Sequence, residues 1–368
     1  MQMSAFPAPC RSLALVAAAL LPNQEPVPVR ARDLGVAIGE LAPGPGNAIT
    51  DVEGVAVGQA TICEGEDLRT GVTLVFPRHG ENVFFNRVPA AVYTGNGYGK
   101  AAGFTQVEEL GEIETPIALT STLVVGAVLD AMVQRCLAQP GMEEVLSINV
   151  VVGETNDGWL SNARAFPVRR EHVEAAWEAA STGPVAEGCV GAGTGTVCFG
   201  YKGGIGTSSR RVEGWTVGVL VQTNFGGTLR IAGRPLPSTR EPRREDGGSC
   251  MVVIATDAPV LARNLGRLAK RAFLGLARAG SVMSNGSGDY AIAFSTYAGN
   301  AIDPRAAGTL VFTELPNQAL SPFFQAVVEA TEEAVLNSLV AARTTAGRDG
   351  HAAQALDHEA VRRAVHGD

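Results

Sequence analysis

Short apolar, β-branched runs separated by glycine-rich turns dominate this chain, and stretches of helical periodicity are few. Strand character falls on 71–76, 90–93, 116–120, 145–152, 215–222, 251–255, 290–295 and 310–312, with a turn and then a strand over 46–58. Residues 93–99 read as a glycine turn. Helical spacing predicts a helix over about 123–137, with Ser121 or Thr122 as N-cap, and a short amphipathic one over 170–180. A third opens at Asp257-Ala-Pro-Val, with Asp257 as N-cap and an apolar stripe of Val260, Leu261, Leu265, Leu268, Ala272 and Leu276. A long helix follows over about 317–342. The chain from about 344 is polar, with a possible short terminal helix. Strands and helices do not alternate strictly and no internal repeat is visible, so mixed sheets between helical layers fit best.

One junction in this pattern carries chemistry. A charged, proline-containing run over 234–246 reads as an exposed loop. Gly247 and Gly248 follow, and then the strand. Ser249 therefore stands where a loop meets a buried strand. If the Gly248–Ser249 bond were cut, Ser249 would carry a hydroxyl and a free α-amine on one residue, a nucleophile with its own base. On this stretch alone a plain Gly-Gly turn leading into a strand is the simpler reading.

Composition narrows the alternatives. The chain has 368 residues, 46% hydrophobic and 18% charged, enough for two ordinary domains or one large layered body. A net charge of −8 and the lack of a basic stripe argue against a nucleic-acid partner. No apolar run reaches the roughly 18 residues of a membrane span. The six cysteines form no CxxC pair or Cys/His cluster, so neither a metal nor a cofactor is expected. Of the five histidines, His351, His358 and His366 lie in the polar tail and none is near the glycine-rich centre. A Ser-His-Asp triad has no base here, and hydrolysis must find one elsewhere. The glycine-rich segment 188–206 lacks both the G-x-G-x-x-G spacing and a Gly-Lys-Ser/Thr, so it is not a phosphate loop. Residues 1–30 differ from the rest: a secretory signal and an unstructured extension are both open, hence a periplasmic or secreted location in the first case and a cytoplasmic one in the second.

The order of several stretches carries a resemblance. These are Gly46-Asn-Ala-Ile-Thr-Asp-Val, Glu114-Thr-Pro-Ile-Ala-Leu-Thr, Gly153-Glu-Thr-Asn-Asp-Gly, Lys202-Gly-Gly-Ile-Gly-Thr-Ser-Ser-Arg210, Val221-Gln-Thr-Asn-Phe-Gly226, Gly248-Ser249 and Gly286-Ser-Gly-Asp289. Over roughly residues 34–343 the chain resembles the DmpA-type L-aminopeptidase/D-esterases and the β-peptidyl aminopeptidases. The resemblance implies an α+β fold, a four-layer αββα sandwich with the layers of N-terminal-nucleophile hydrolases and the connectivity shared with ornithine acetyltransferases. It implies a precursor that cuts itself into a large subunit, 31–248, and a small one, 249–368. Short peptides or amino-acid amides with a free amino end are the implied substrates, and a tetramer of processed heterodimers the implied assembly.

Carried onto single residues, the resemblance makes Ser249 the nucleophile and Gly248–Ser249 the autocleavage bond. Ser287 relays a hydrogen bond to the Ser249 amine or hydroxyl, and Asp289 orients Ser287, although the family commonly has a longer acid there. Asn224 would donate to a developing oxyanion. Glu154 would pair with the substrate's ammonium. Asn156 stands where some relatives carry a tyrosine, and its amide is a candidate replacement. Cys250 reads as a buried small apolar residue. Lys202 and Arg210 read as structural ion-pair partners, and Tyr93 and Asn96 as candidate pocket residues. Two other functions remain open: an acyltransferase of the ornithine acetyltransferase type, and an uncleaved binding protein.

Overall fold

The computed structural model describes residues 29–236 and 248–366. The leader and most of the loop expected over 234–246 lie outside the described residues.

Ten strands form two sheets. Strands β1 (Ala56–Glu64), β2 (Leu68–Phe76), β5 (Ile117–Ser121) and β6 (Val151–Thr155) make a four-stranded sheet in the order β1-β2-β5-β6. Strands β3 (Val88–Gly97), β4 (Glu112–Ile113), β7 (Ile205–Val212), β8 (Trp215–Asn224), β9 (Ser249–Thr256) and β10 (Gly288–Ser295) make a six-stranded one in the order β4-β3-β10-β9-β8-β7. Pairing is antiparallel except β5 with β6 and β9 with β10. Helix α2 (Val125–Leu137) links the first parallel pair, and α4 (Ala262–Ala279) the second, as parallel neighbours require a crossover.

Each sheet buries both faces. On β9, Cys250, Val252 and Ile254 pack with α4 and the long helix α5 (Ser321–Val340). The alternate residues Met251, Val253 and Ala255 pack between the sheets with Leu119, Val151, Leu220 and Ile292. The outer face of the small sheet packs Leu74, Phe76 and Ala118 against α2 and α3 (Arg170–Glu178). Period-two burial on both sides explains why these strands read as continuous apolar runs. The layers are α, β, β, α. Helix α1 (Phe104–Leu110) packs beside β3, and α6 (His358–His366) closes the tail.

Several boundaries differ from the sequence expectation, each for a tertiary reason. The strand expected over 145–152 begins only at Val151 and runs through Glu154, because its pairing with β5 spans Ile117 to Ser121. Strand β3 continues through Asn96 and Gly97, the expected glycine turn, because β10 pairs with it that far. Residues 310–312 pair with no strand and lie exposed. Asp257 does not cap α4: its Oδ1 accepts the Thr216 N–H at 2.6 Å, and the helix starts at Ala262 after Leu261. Ser121 and Thr122 do not cap α2 either, whose N-cap is Val124. Ser121 donates to Asp157 Oδ1 at 2.7 Å.

Candidate active site

Three neighbouring strands meet at one end of the large sheet. Ser249 is the first residue of β9. It lies opposite Asn224, the last residue of β8, and beside Gly288, the first of β10. Cross-strand partners share a face, so Asn224 and Ser249 continue the row of Leu220, Gln222, Met251 and Val253 that points between the sheets. Gln222 fixes the separation there. Its Nε2 donates to Thr120 O, Thr155 Oγ1 and Ala192 O at 3.1, 2.8 and 2.9 Å, and so ties β8 to β5 and β6.

The two glycines at this end are required by crowding. A Cβ on Gly248 would lie 2.7 Å from Phe225 Cα, and one on Gly288 2.5 Å from Tyr98 O. Close approach of neighbouring chain is thus the reason for glycine at both positions. That closeness brings two donors onto one carbonyl. The Gly248 oxygen accepts the Ser249 hydroxyl at 2.6 Å and the Gly288 N–H at 3.0 Å. The bond before Ser249 is thus polarised from the neighbouring strand, with a hydroxyl next to its carbonyl.

Asn224 offers a further donor. The Val197 N–H holds its Oδ1 at 3.0 Å, which leaves the NH2 end to donate. Ser249, Asn224, Ser287, Asp289 and Glu154 are all buried, at 8% exposure or less.

Ser287 and Asp289 approach from the other face. Asp289 is in register with Cys250, which belongs to the core on the helical side, whereas Ser249 is in register with Gly288. They stand on the opposite face of the sheet from the Ser249 side chain. Asn96 holds the Ser287 carbonyl through its Nδ2 at 2.6 Å. The Ser287 hydroxyl and both Asp289 oxygens are buried with no hydrogen-bond partner among the described residues. Burial pushes Asp289 up to about 6, and the nearby Ser287 hydroxyl opposes that rise.

Glu154, near the end of β6, reaches the same region. Its Oε1 accepts the Lys100 N–H at 3.0 Å and lies 3.6 Å from Lys100 Nζ. Its Oε2 is buried without a partner among the described residues. A Cβ on Gly99 would sit 3.0 Å from Glu154 Oε1 and 3.3 Å from the Tyr290 ring, so the loop after β3 joins Glu154 to β10. Burial raises the Glu154 carboxyl, and Lys100 and Thr122 counteract it.

The remaining expected residues make contacts of their own. Asn156 is exposed, with Oδ1 closing a turn on the Gly158 N–H at 2.9 Å. Burial pushes the Cys250 thiol well above its ordinary value, which removes the thiolate a nucleophile needs. Lys202 is fully buried and donates to the carbonyls of Gly193 and Gly203 at 3.0 and 2.7 Å. Arg210 pairs with Glu329 and Glu333 under α5. Tyr93 lines a separate cavity of about 300 Å³ with Phe104 and Glu108. Among the described residues no group of three His, Cys, Asp or Glu side chains could hold a metal ion, and no helix is long and apolar enough to cross a membrane. Sequence reading missed Lys100 and Gln222. Lys100 follows a run of glycines, and nothing local marks it as the partner of a residue on the other sheet.

The αββα layers, with a serine opening a central strand, are those of self-processing serine peptidases with the N-terminal-nucleophile hydrolase fold. Within that class the chain belongs to peptidase family S58, whose model matches residues 47–353. It is 44% identical to a β-peptidyl aminopeptidase of Sphingosinicella microcystinivorans, over 90% of this chain and 91% of the relative. It superposes on a β-aminopeptidase from Burkholderia sp. with a TM-score of 0.86 at 41% identity, covering 92% of this chain and 99% of the other. The L-aminopeptidase D-Ala-esterase/amidase of Ochrobactrum anthropi, described as a prototype of the serine aminopeptidases and a variant of the same fold, matches with a TM-score of 0.86 at 37% identity, covering 92% and 98%.

Proposed function

We propose that this protein cuts its own Gly248–Ser249 bond and then acts as an aminopeptidase through the Ser249 so exposed. The observation that carries the reading is the Gly248 carbonyl, held at once by the Ser249 hydroxyl at 2.6 Å and the Gly288 N–H at 3.0 Å. In self-cleavage the Ser249 oxygen attacks the Gly248 carbonyl carbon. Negative charge develops on the oxygen that the Gly288 N–H already meets. The C–N bond breaks as the hydroxyl proton passes to nitrogen, leaving an ester. Water then hydrolyses the ester, giving a Gly248 carboxylate and a free Ser249 amine.

The mature enzyme repeats the attack on an external amide or ester. The Ser249 amine, which in model compounds titrates near pH 8, takes the hydroxyl proton and later delivers it to the leaving group. Ser287 and Asp289 hold the ammonium form of that amine, the Asn224 NH2 donates to the oxyanion, and the Glu154 carboxylate takes the substrate's ammonium. That last contact restricts the enzyme to free amino ends of short peptides or amino-acid amides. The names of the relatives support β-amino-acid and α-amino-acid substrates alike. We further propose a tetramer of processed heterodimers, supported by the exposed apolar run Leu310, Val311 and Phe312.

Intact-mass measurement with amino-terminal sequencing tests the core of the reading. Two fragments are expected, the smaller beginning Ser249-Cys250, and Ser249→Ala remains one chain without activity. A small fragment beginning at Cys250, or full processing of Ser249→Ala, overturns it. Light scattering of the processed protein tests the tetramer.

A further inference from the structure

Glu154 is held by one residue twice. The Lys100 N–H donates to Oε1 at 3.0 Å, and Lys100 Nζ lies 3.6 Å from the same oxygen. Nζ is itself fixed by Thr122 Oγ1 at 2.8 Å. Oε2, by contrast, is buried and has no partner among the described residues. An isolated buried carboxylate would sooner take up a proton than remain charged. The hydrogen bond from the Lys100 N–H and the charge of Nζ beside the same oxygen both favour the charged form.

We propose that Lys100 is the positioning residue of the amino-terminal subsite, clamping Oε1 so that Glu154 stays ionised while buried and Oε2 is left to receive the substrate's ammonium. The inference rests on the role given to Glu154 above. Two titratable or charged groups face Glu154: Lys100 from the loop after β3, and the Tyr290 phenol on β10, which the nearby charges of Glu154 and Asp289 help raise. The Thr122 hydroxyl at the start of α2 is neutral. Burial raises the Glu154 carboxyl; the Lys100 backbone N–H opposes that rise most and the Lys100 charge next.

The arrangement gives Lys100 two opposed effects on a cationic substrate. Its charge repels the incoming ammonium, weakly, because the Lys100 side chain is 55% exposed and screened by water. It also keeps Glu154 able to attract that ammonium at all. Removing Nζ therefore helps binding where Glu154 would be ionised anyway and harms it where Glu154 would now be protonated.

The test uses processed wild type, Lys100→Met, Lys100→Arg and Glu154→Gln, with L-alanine p-nitroanilide as probe and kcat and KM measured between pH 5 and 7.5. In Lys100→Met the acid limb of kcat/KM should move up by about one pH unit, with KM raised about 5–10-fold at pH 5.5, equal to or below wild type at pH 7.5, and kcat within about twofold. Lys100→Arg should restore the wild-type profile. An unmoved acid limb in Lys100→Met, or a loss of the same size at every pH, overturns the proposal. Glu154→Gln separates the two levels. A wild-type KM in that variant overturns the ammonium role itself. A raised KM in Glu154→Gln beside an unmoved Lys100→Met profile overturns only the role of Lys100.

Discussion

Two of the clusters of buried charge among the described residues stand on opposite terms with their surroundings. Under α5, Arg210 is fully buried, and its guanidinium donates to Glu329 Oε2, Ser208 Oγ, Ser209 O, Ile38 O and Glu333 Oε2 at 3.1, 2.9, 2.8, 2.9 and 2.7 Å. Glu333 also takes both arms of Arg32, and Glu329 the backbone N–H groups of Glu40 and Leu41. At the end of β9 and β10, Asp289, Ser287 and Glu154 keep four buried polar atoms without partners among the described residues. Both clusters bear the desolvation cost of burial, and only the first recovers it within the described fold. A fold retains an unrecovered cost where the polar atoms act on something besides the fold, and this contrast supports the proposed chemistry at Ser249 over any at Arg210.

The comparison breaks if the Arg210 cluster proves dispensable. Arg210→Met leaves two carboxylates buried without their shared cation, and the expected loss is about 3–5 kcal/mol of stability. Chemical denaturation of the variant reads it directly. The fraction that remains folded should still cleave itself, since the Gly248 carbonyl takes its donors from Ser249 and Gly288. A loss below about 1 kcal/mol would show that satisfied hydrogen bonding does not mark a structural cluster here.

The two clusters also differ in how far the sequence reveals them. Ser249 and Asn224 are legible because strand periodicity puts each at the end of an apolar run, and those ends are where the register lays them side by side. Ser287 and Asp289 are legible as a pair two apart, yet their face is not: only the parallel pairing of β9 with β10 puts Asp289 beside Cys250. Glu154 reads from the sequence as a residue after a strand, whereas pairing with β5 draws it inside one. Lys100 is invisible, because its partner is 54 residues away on the other sheet. The Arg210 cluster is equally hidden, since Arg210 and Glu333 are 123 positions apart and meet only when α5 packs across β7. Local pattern fixes which residues are strand ends; it carries no information on which ends meet.

A second test sharpens the other side. Asn224→Ala removes the proposed oxyanion donor, and turnover should fall by about 10²- to 10³-fold, or about 3–4 kcal/mol of barrier. The Val197 N–H loses one acceptor, so stability should drop by only about 1 kcal/mol. A variant whose kcat survives while its melting temperature collapses would move Asn224 into the structural group.

The smallest effect, and the one most specific to the contrast, is the pH dependence of the two sets of carboxylates. Burial pushes Asp289 up to about 6, against an ordinary value of 3.8. Its ionised form is therefore disfavoured by folding. Well below 3.8 it is protonated in both states and costs nothing extra. As pH rises from 4 to 6 the unfolded chain ionises first, and the fold loses up to about 3 kcal/mol by neutral pH, an upper figure. Glu329 and Glu333 run the other way: burial alone would raise them, but Gln325, the backbone N–H groups of Glu40 and Leu41 and then Arg210 hold Glu329, and Arg32 and then Arg210 hold Glu333, below the ordinary 4.5. Their contribution is complete above about 4.5 and is lost as pH falls through the depressed values. Asp289→Asn should accordingly gain about 1–3 kcal/mol over the unaltered protein at pH 8 and less than about 1 kcal/mol at pH 4, while losing activity at both. Denaturation of the two proteins at those two pH values measures the difference. An equal gain at both would mean that the Asp289 carboxylate finds a partner when it ionises, and the boundary between the two clusters would then fall at Glu154 instead.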